Sequence, residues 1–154
     1  MIAIRHTGIY VNDIVGLEKF YMSVFDMTAI CSQEPDRGSL FDELLEKENS
    51  SVMTTKLITP YGKQAGQGDM IELVKVTTES AETLSLPENR PVSLTGMAHV
   101  AFGVDDIKET VSRILSGGGQ QKTSIVQMKN GNRCCFCTDP EGNWIELIQR
   151  KTGG

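Results

Sequence analysis

An internal repeat constrains the fold of this chain more than any other feature of its sequence. Residues 6–14 (HTGIYVNDI) resemble residues 99–107 (HVAFGVDDI), and in both a histidine is followed by valine five positions later and then by Asp-Ile. Residues 68–74 (GDMIELV) resemble residues 142–148 (GNWIELI) in the same way. Because self-similarity indicates a repeated structural unit, each half is expected to begin with a His-bearing segment and end with a Glu-bearing one.

The two halves differ in length. The two histidines lie farther apart in the chain than the two glutamates, so the first half is longer between its motifs. We expect the additional residues in segments 32–51 and 62–68, which are polar and rich in turn-forming residues.

Both halves show the same order of strands and a helix. Alternating and β-branched residues predict strands, and apolar residues at helical spacing, with a capping box at Asp106 and Glu109, predict a helix after each His-bearing strand. The predicted strands are residues 4–11, 52–58, 70–76, 98–104, 122–129, 133–138 and 144–149. The sequence therefore predicts an α+β fold of two βαβββ modules within one domain: module 1 (residues 1–76), a linker (77–95) and module 2 (96–150).

Composition and charge exclude several classes of protein. The net charge is −5 and the isoelectric point about 5.0, with no basic stripe, so we expect no nucleic-acid partner. No apolar run approaches the ~20 residues of a membrane span, and the N-terminus does not resemble a signal peptide. We expect a cytoplasmic protein without a membrane partner.

Four cysteines are present, at positions 31, 134, 135 and 137. Their spacing is not the C-x-x-C of a zinc site, and adjacent cysteines on a strand point to opposite faces of the sheet. We interpret them as reduced thiols that pack as small hydrophobic side chains.

Strand alternation gives the repeat a chemical meaning. His6 and His99 share their strand faces with small residues, among others, whereas Glu72 and Glu146 share theirs with large apolar residues. A carboxylate among apolar neighbours is costly to bury unless a partner neutralises it. A structural histidine and an edge-strand glutamate are the simpler interpretation, but both histidines of the chain occupy the same slot of the repeat. This favours a metal site with two nitrogen and two oxygen ligands.

The His-x-x-x-x-Val-x-Asp segments, the Ile-Glu-Leu segments and residues 139–147 (DPEGNWIEL) resemble the vicinal oxygen chelate superfamily. This superfamily includes glyoxalase I, methylmalonyl-CoA epimerase, extradiol dioxygenases and resistance proteins. The resemblance covers nearly the whole chain and implies paired βαβββ modules that curl into an open barrel around a metal ion. It maps the metal ligands onto His6, Glu72, His99 and Glu146.

The resemblance also separates the possible reactions. A two-histidine, one-carboxylate face, as in the dioxygenases, would need only His6, His99 and Glu146, so the presence of Glu72 favours the glyoxalase and epimerase branch. There a divalent metal stabilises an enediolate or enolate as a Lewis acid and a glutamate moves the proton. The implied base is Glu146, with Glu72 as second catalytic carboxylate. Nickel, cobalt, zinc, manganese and iron all remain open as the metal.

Two positions depart from the glutathione-dependent members of this branch. Four residues after the first and second ligands, glyoxalase I usually carries arginine and asparagine, whereas this chain has Tyr10 and Val76. The charged contact expected with a glutathione carboxylate is therefore missing or formed by other residues. Another α-hydroxycarbonyl compound, a thioester or a small natural product remains open as the substrate.

Three functions remain open from the sequence. The first is a glyoxalase I-like lyase or isomerase, the second a methylmalonyl-CoA epimerase-like enzyme, and the third a non-catalytic drug- or metabolite-binding protein. We expect a small-molecule substrate and a homodimer, with the site formed either within one chain or between two. Candidate walls of the substrate pocket are Tyr10, Phe41, Met53 and Trp144.

Overall fold

The computed structural model describes residues 2–79, 87 and 90–151. The chain divides into two compact units, Met1–Ser85 and Leu86–Gly154. The boundary between them falls within the segment predicted as a linker, of which residues 80–86, 88 and 89 lie outside the described residues. The exact limits of the two modules remain a prediction.

Unit 1 contains a four-stranded sheet with a helix packed on one face. Its elements are β1 (Thr7–Tyr10), α1 (Ile14–Phe25), β2 (Thr28–Arg37), α2 (Ser39–Leu44), β3 (Ser51–Ile58), α3 (Pro60–Ala65) and β4 (Met70–Val76). The strand order is β1-β4-β3-β2. β1 runs parallel to β4, whereas β3 is antiparallel to both β2 and β4. Apart from the short α2 and α3, this is the predicted βαβββ order.

Unit 2 repeats this arrangement, except that two short strands take the place of the continuous β2. Its elements are β5 (His99–Gly103), α4 (Ile107–Ser116), β6 (Gln120–Gln121), β7 (Val126–Gln127), β8 (Arg133–Thr138) and β9 (Trp144–Gln149). The order is β5-β9-β8-β6, with β7 also paired to β8. β5 runs parallel to β9, as β1 does to β4. The α+β class is thus confirmed.

The predicted strand 122–129 is wrong as one continuous element. The backbone N–H groups of Lys122 and Thr123 both donate to the carbonyl of Phe136, at 2.8 and 3.2 Å. Two residues opposite one is the arrangement of a β-bulge, which interrupts the ladder. Pairing with β8 resumes only at Val126–Gln127. The predicted strand 4–11 is also shorter in the structure, where β1 is Thr7–Tyr10.

The two longer helices, α1 and α4, each pack on the apolar face of their own sheet. Both begin at an aspartate that accepts backbone hydrogen bonds: Asp13 from Gly16, and Asp106 from Lys108 and Glu109, which confirms the predicted cap at Asp106. The backbone N–H groups of Glu109 and Lys108 lower the pKa of Asp106. The buried side chains of α1 and of its sheet include Leu17, Tyr21, Leu57, Ile71 and Leu73, and those of unit 2 include Ile107, Ile114, Cys135, Ile145 and Leu147.

None of the helices within the described residues is long and apolar enough to cross a membrane.

One charged side chain of α1, that of Glu18, lies in the core. It is 8% exposed, and its carboxylate accepts hydrogen bonds from Ser32 Oγ (2.6 Å), Gln33 Nε2 (3.0 Å) and Thr55 Oγ1 (3.3 Å). Gln33 has a φ of 50° and lies in the irregular part of the β2–β3 pairing. The Glu18 carboxylate therefore connects the irregular part of β2 to β3 and α1.

We predict that Glu18→Ala lowers the free energy of unfolding by about 3 kcal/mol, because it removes the acceptor of three part-buried or buried donors. Urea denaturation followed by circular dichroism measures this change. The matched control is Lys19→Ala, an exposed neighbour on the same helix, for which a change within about 0.5 kcal/mol is expected. Equal losses in the two variants would contradict a structural role for the Glu18 network.

Candidate functional site

The first and last strands of unit 1 bring His6 and Glu72 together. His6 Nε2 lies 3.1 Å from Glu72 Oε2, and the two side chains are 37% and 20% exposed. His6 directly precedes β1, and in the parallel β1–β4 pair Gly8 lies opposite Glu72. Because Gly8 has no side chain, nothing from β1 covers the glutamate at this register position.

Lys56 is a second partner of Glu72 that sequence reasoning missed. It lies opposite Glu72 in the β3–β4 ladder, and its Nζ is 3.2 Å from Glu72 Oε1. Both carboxylate oxygens of Glu72 are therefore engaged, one by an imidazole and one by an ammonium group. Only the strand register could have identified Lys56, because it lies outside both repeated motifs.

Unit 2 forms the equivalent pair from His99 and Glu146. His99 Nε2 lies 3.1 Å from Glu146 Oε2, and the side chains are 32% and 22% exposed. In the parallel β5–β9 pair, Ala101 lies opposite Glu146, as Gly8 lies opposite Glu72. We call the two His–Glu pairs the half-sites of units 1 and 2.

An aromatic residue occupies the position in unit 2 that lysine occupies in unit 1. Phe136 on β8 lies opposite Glu146, and its ring meets the His99 ring edge-to-face at a centroid distance of 5.2 Å. The Trp144 ring is 6.3 Å from Phe136 in a similar geometry, and Lys122 Nζ lies 5.9 Å from the Trp144 ring centroid. Phe136 and Lys122 were not among the predicted site residues.

The four residues predicted as pocket walls have different locations. Tyr10 is 53% exposed and lies opposite Val74, and half-buried Trp144 lies opposite His99 with its Nε1 donating to the carbonyl of Arg90 at 3.2 Å. Half-buried Phe41 lies on α2, outside the sheet. Met53 is three residues from Lys56 on the same strand, so its side chain leaves the sheet on the face opposite Glu72. This placement does not support Met53 as a wall beside the first half-site.

The donor atoms of each half-site fit a divalent metal ion. Imidazole nitrogen and carboxylate oxygen are ligands that several divalent metals accept. The N–O separation of 3.1 Å in both pairs is close to the about 3 Å expected between neighbouring ligands that lie about 2.1 Å from a shared metal. Within residues 2–79, 87 and 90–151, no group of three or more His, Cys, Asp or Glu side chains is arranged to hold a metal ion. Each unit thus brings together one imidazole and one carboxylate.

The four cysteines differ in burial. Among the described residues all four thiols are free, with Cys135 and Cys137 buried and Cys31 and Cys134 half-buried. Burial raises the pKa of the Cys135 thiol, and it raises that of Cys137 to about 12. Burial and the nearby Glu146 carboxylate raise the pKa of Cys134. The prediction of small packing side chains suits Cys135 and Cys137 best.

The protein family follows from comparison with known proteins. Residues 3–147 match the Glyoxalase/Bleomycin resistance protein/Dioxygenase superfamily. The chain belongs to this superfamily, as the resemblance of its motifs implied. A "probable lactoylglutathione lyase" from Vibrio parahaemolyticus is 31% identical over 149 residues, which are 96% of this chain and 91% of that protein.

Solved structures show the same fold. A glyoxalase family protein from Bacillus cereus superposes with a TM-score of 0.83 at 23% identity, covering 98% of this chain and 95% of that one. A genomically encoded fosfomycin resistance protein from Listeria monocytogenes, in complex with Mn(II) and sulfate, gives a TM-score of 0.56 at 16% identity, covering 99% and 96% of the two chains. The predicted glyoxalase fold is confirmed.

We predict that stability falls as the pH rises from about 9 towards 12, in part through Cys137. The unfolded chain ionises this thiol near its ordinary pKa of 9.0, whereas the folded chain keeps it protonated up to about pH 12, so alkali favours unfolding. Urea denaturation at pH 7 and pH 10 should show a smaller pH-dependent loss for Cys137→Ala than for the wild type. The control is Cys31→Ala, which changes a half-buried thiol in unit 1, and an equal loss in all three proteins would contradict the prediction.

Proposed function

We propose that the protein is a metal-dependent lyase or isomerase of the glyoxalase I type, which moves a proton on a carbon atom next to a carbonyl group. The observation that carries this proposal is the pair of equivalent half-sites, each with an imidazole and a carboxylate 3.1 Å apart on a partly exposed sheet face. The name of the Vibrio relative supports the same class of reaction.

His6, Glu72, His99 and Glu146 are the proposed metal ligands. The four-ligand site would take one half-site from each unit, either of the same chain or of two chains in a homodimer. When bound, a divalent cation supplies Lewis-acid stabilisation of the negative charge that develops on a substrate oxygen. Its identity among nickel, cobalt, zinc, manganese and iron is part of the experiment below.

Glu146 is the proposed base, because it has fewer side-chain partners than Glu72. Glu72 is engaged at both oxygens, by His6 and by Lys56. Among the residues that the structure describes, His99 is the one side chain bonded to Glu146, through Oε2. A carboxylate with one oxygen left for the substrate can accept and return a proton, whereas one held at both oxygens acts better as a fixed ligand.

The substrate is proposed as an α-hydroxycarbonyl compound, with the hemithioacetal of an α-oxoaldehyde and glutathione as the first member to test. Tyr10 and Val76 replace the arginine and asparagine expected of glutathione-dependent members, and this favours testing other thiols and thioesters beside it. The thioesters include the substrates of an epimerase of the methylmalonyl-CoA type, whose chemistry is the same proton transfer. The aromatic surface of Phe136 and Trp144 favours an apolar group on the substrate, and it would also suit a protein that binds metabolites without reaction.

We predict that the purified protein binds divalent metal and that His6→Ala and His99→Ala each weaken this binding by at least about 100-fold, because each removes a ligand. Calorimetric titration of metal-free protein with Ni²⁺, Co²⁺, Zn²⁺, Mn²⁺ and Fe²⁺ measures the affinities. The matched control is Glu109→Gln on the exposed side of α4, which should leave the affinity unchanged. Absence of metal binding, or histidine variants that bind as tightly as the wild type, would refute the proposed centre.

We predict that the wild type catalyses exchange of the α-proton of its substrate with solvent deuterium and that Glu146→Gln slows this exchange by at least about 100-fold. The exchange is followed by NMR at a metal concentration that saturates both proteins, so loss of metal does not account for a difference. Exchange at the wild-type rate in Glu146→Gln would exclude Glu146 as the base. Tight binding of candidate substrates with no exchange in the wild type would favour a binding protein instead.

A further inference from the structure

The matched half-sites differ in the charge that faces the glutamate. In unit 1, Lys56 Nζ lies 3.2 Å from Glu72 Oε1, while in unit 2 the residue opposite Glu146 is the uncharged Phe136. Both residues occupy the equivalent position: each lies on the strand that is antiparallel to the Glu-bearing strand, directly opposite the glutamate. The two halves of the repeat thus place a cation beside one proposed ligand and an aromatic ring beside the other.

The position of Lys56 puts its charge within reach of any ion bound at Glu72. The side chain is 40% exposed and the Glu72 side chain 20% exposed, so water screens their interaction only in part. Charges a few ångströms apart interact more strongly near a protein surface than in bulk water, because the surroundings screen them less. An ammonium group that attracts Glu72 therefore also repels a divalent cation that would bind the same carboxylate.

We propose that Lys56 is an internal competitor for divalent metal: it holds Glu72 in place in the metal-free protein and lowers the affinity of the first half-site for the metal. This inference rests on the proposed metal centre at Glu72. Its consequence is an unequal centre, in which the ligands of unit 2 bind metal more strongly than those of unit 1. Removal of Lys56 must then tighten metal binding, an effect opposite to that of ordinary structural damage.

The experiment compares metal affinities of charge variants at the two matched positions. Metal-free wild type, Lys56→Met, Lys56→Gln and Lys56→Arg are titrated calorimetrically with Co²⁺ and Ni²⁺ at low ionic strength. Lys75→Met is the matched control. Lys75 lies on β4 three residues after Glu72, so its side chain leaves the sheet on the face opposite Glu72. It removes the same net charge without touching the half-site.

We expect Lys56→Met and Lys56→Gln to bind metal on the order of tenfold more tightly than the wild type. Lys56→Arg and Lys75→Met should stay within about twofold of the wild type, since the first keeps the charge and the second removes one on the other face. The gain in Lys56→Met should shrink at high salt. In unit 2, Phe136→Lys should weaken metal binding, whereas Phe136→Leu should weaken it less.

Two results would overturn the inference while leaving the proposed function intact. In the first, the wild type binds metal, and Lys56→Met and Lys56→Gln bind it with the same affinity as the wild type or more weakly. The other is Lys75→Met tightening binding as much as Lys56→Met, which would assign the effect to net charge alone. If neither the wild type nor any Lys56 variant binds divalent metal, the inference and the metal centre on which it rests both fail.

Discussion

The parallel pairing of the first and last strands is the constraint on which each unit depends. Parallel neighbours need a crossover connection, and here the helix and the middle strands supply it. The pairing sets Gly8 level with Glu72 and Ala101 level with Glu146, so the histidine two residues before each small residue reaches its glutamate. A shift of one residue would turn Glu72 towards the helix and Ile71 and Leu73 away from it. Because those two side chains are 2% and 0% exposed, the apolar core fixes the register and, through it, the half-site.

Glutamate side chains occupy two different environments in this protein, one buried and one partly exposed. Glu18 is almost fully buried, and three donors from two strands satisfy its carboxylate. The side chains of Glu72 and Glu146 are instead about one-fifth exposed. Burial of a carboxylate requires that the protein satisfy it completely, and a buried carboxylate enclosed by its donors has no capacity left for an outside ligand. A partly exposed one keeps that capacity at a smaller cost in desolvation.

The sequence predicted most of the fold because local signals and the repeat agreed. The bounds of β4, β8 and β9 match the predicted strands, and Asp106 caps its helix as expected. The break between β6 and β7 was missed because it depends on two backbone N–H groups sharing one carbonyl, which no side-chain pattern records. The repeat predicted that His6, Glu72, His99 and Glu146 converge on one metal ion, and this convergence stays a prediction. The structure places His6 beside Glu72 and His99 beside Glu146. Lys56 and Phe136 did not follow from the repeat, because cross-strand neighbours depend on register, and neither residue belongs to a repeated motif.

The differences between the two halves carry information that the repeat does not. At the positions of the proposed ligands both units present the same imidazole and carboxylate at the same separation, so these positions do not distinguish one unit from the other. Beside them, unit 1 presents an ammonium group at Lys56, and unit 2 presents the rings of Phe136 and Trp144. Distinguishing one end of a small molecule from the other requires unequal neighbours. Under the proposed function, we therefore expect the choice of substrate to depend on residues where the halves have diverged and the chemistry to depend on the residues that they share.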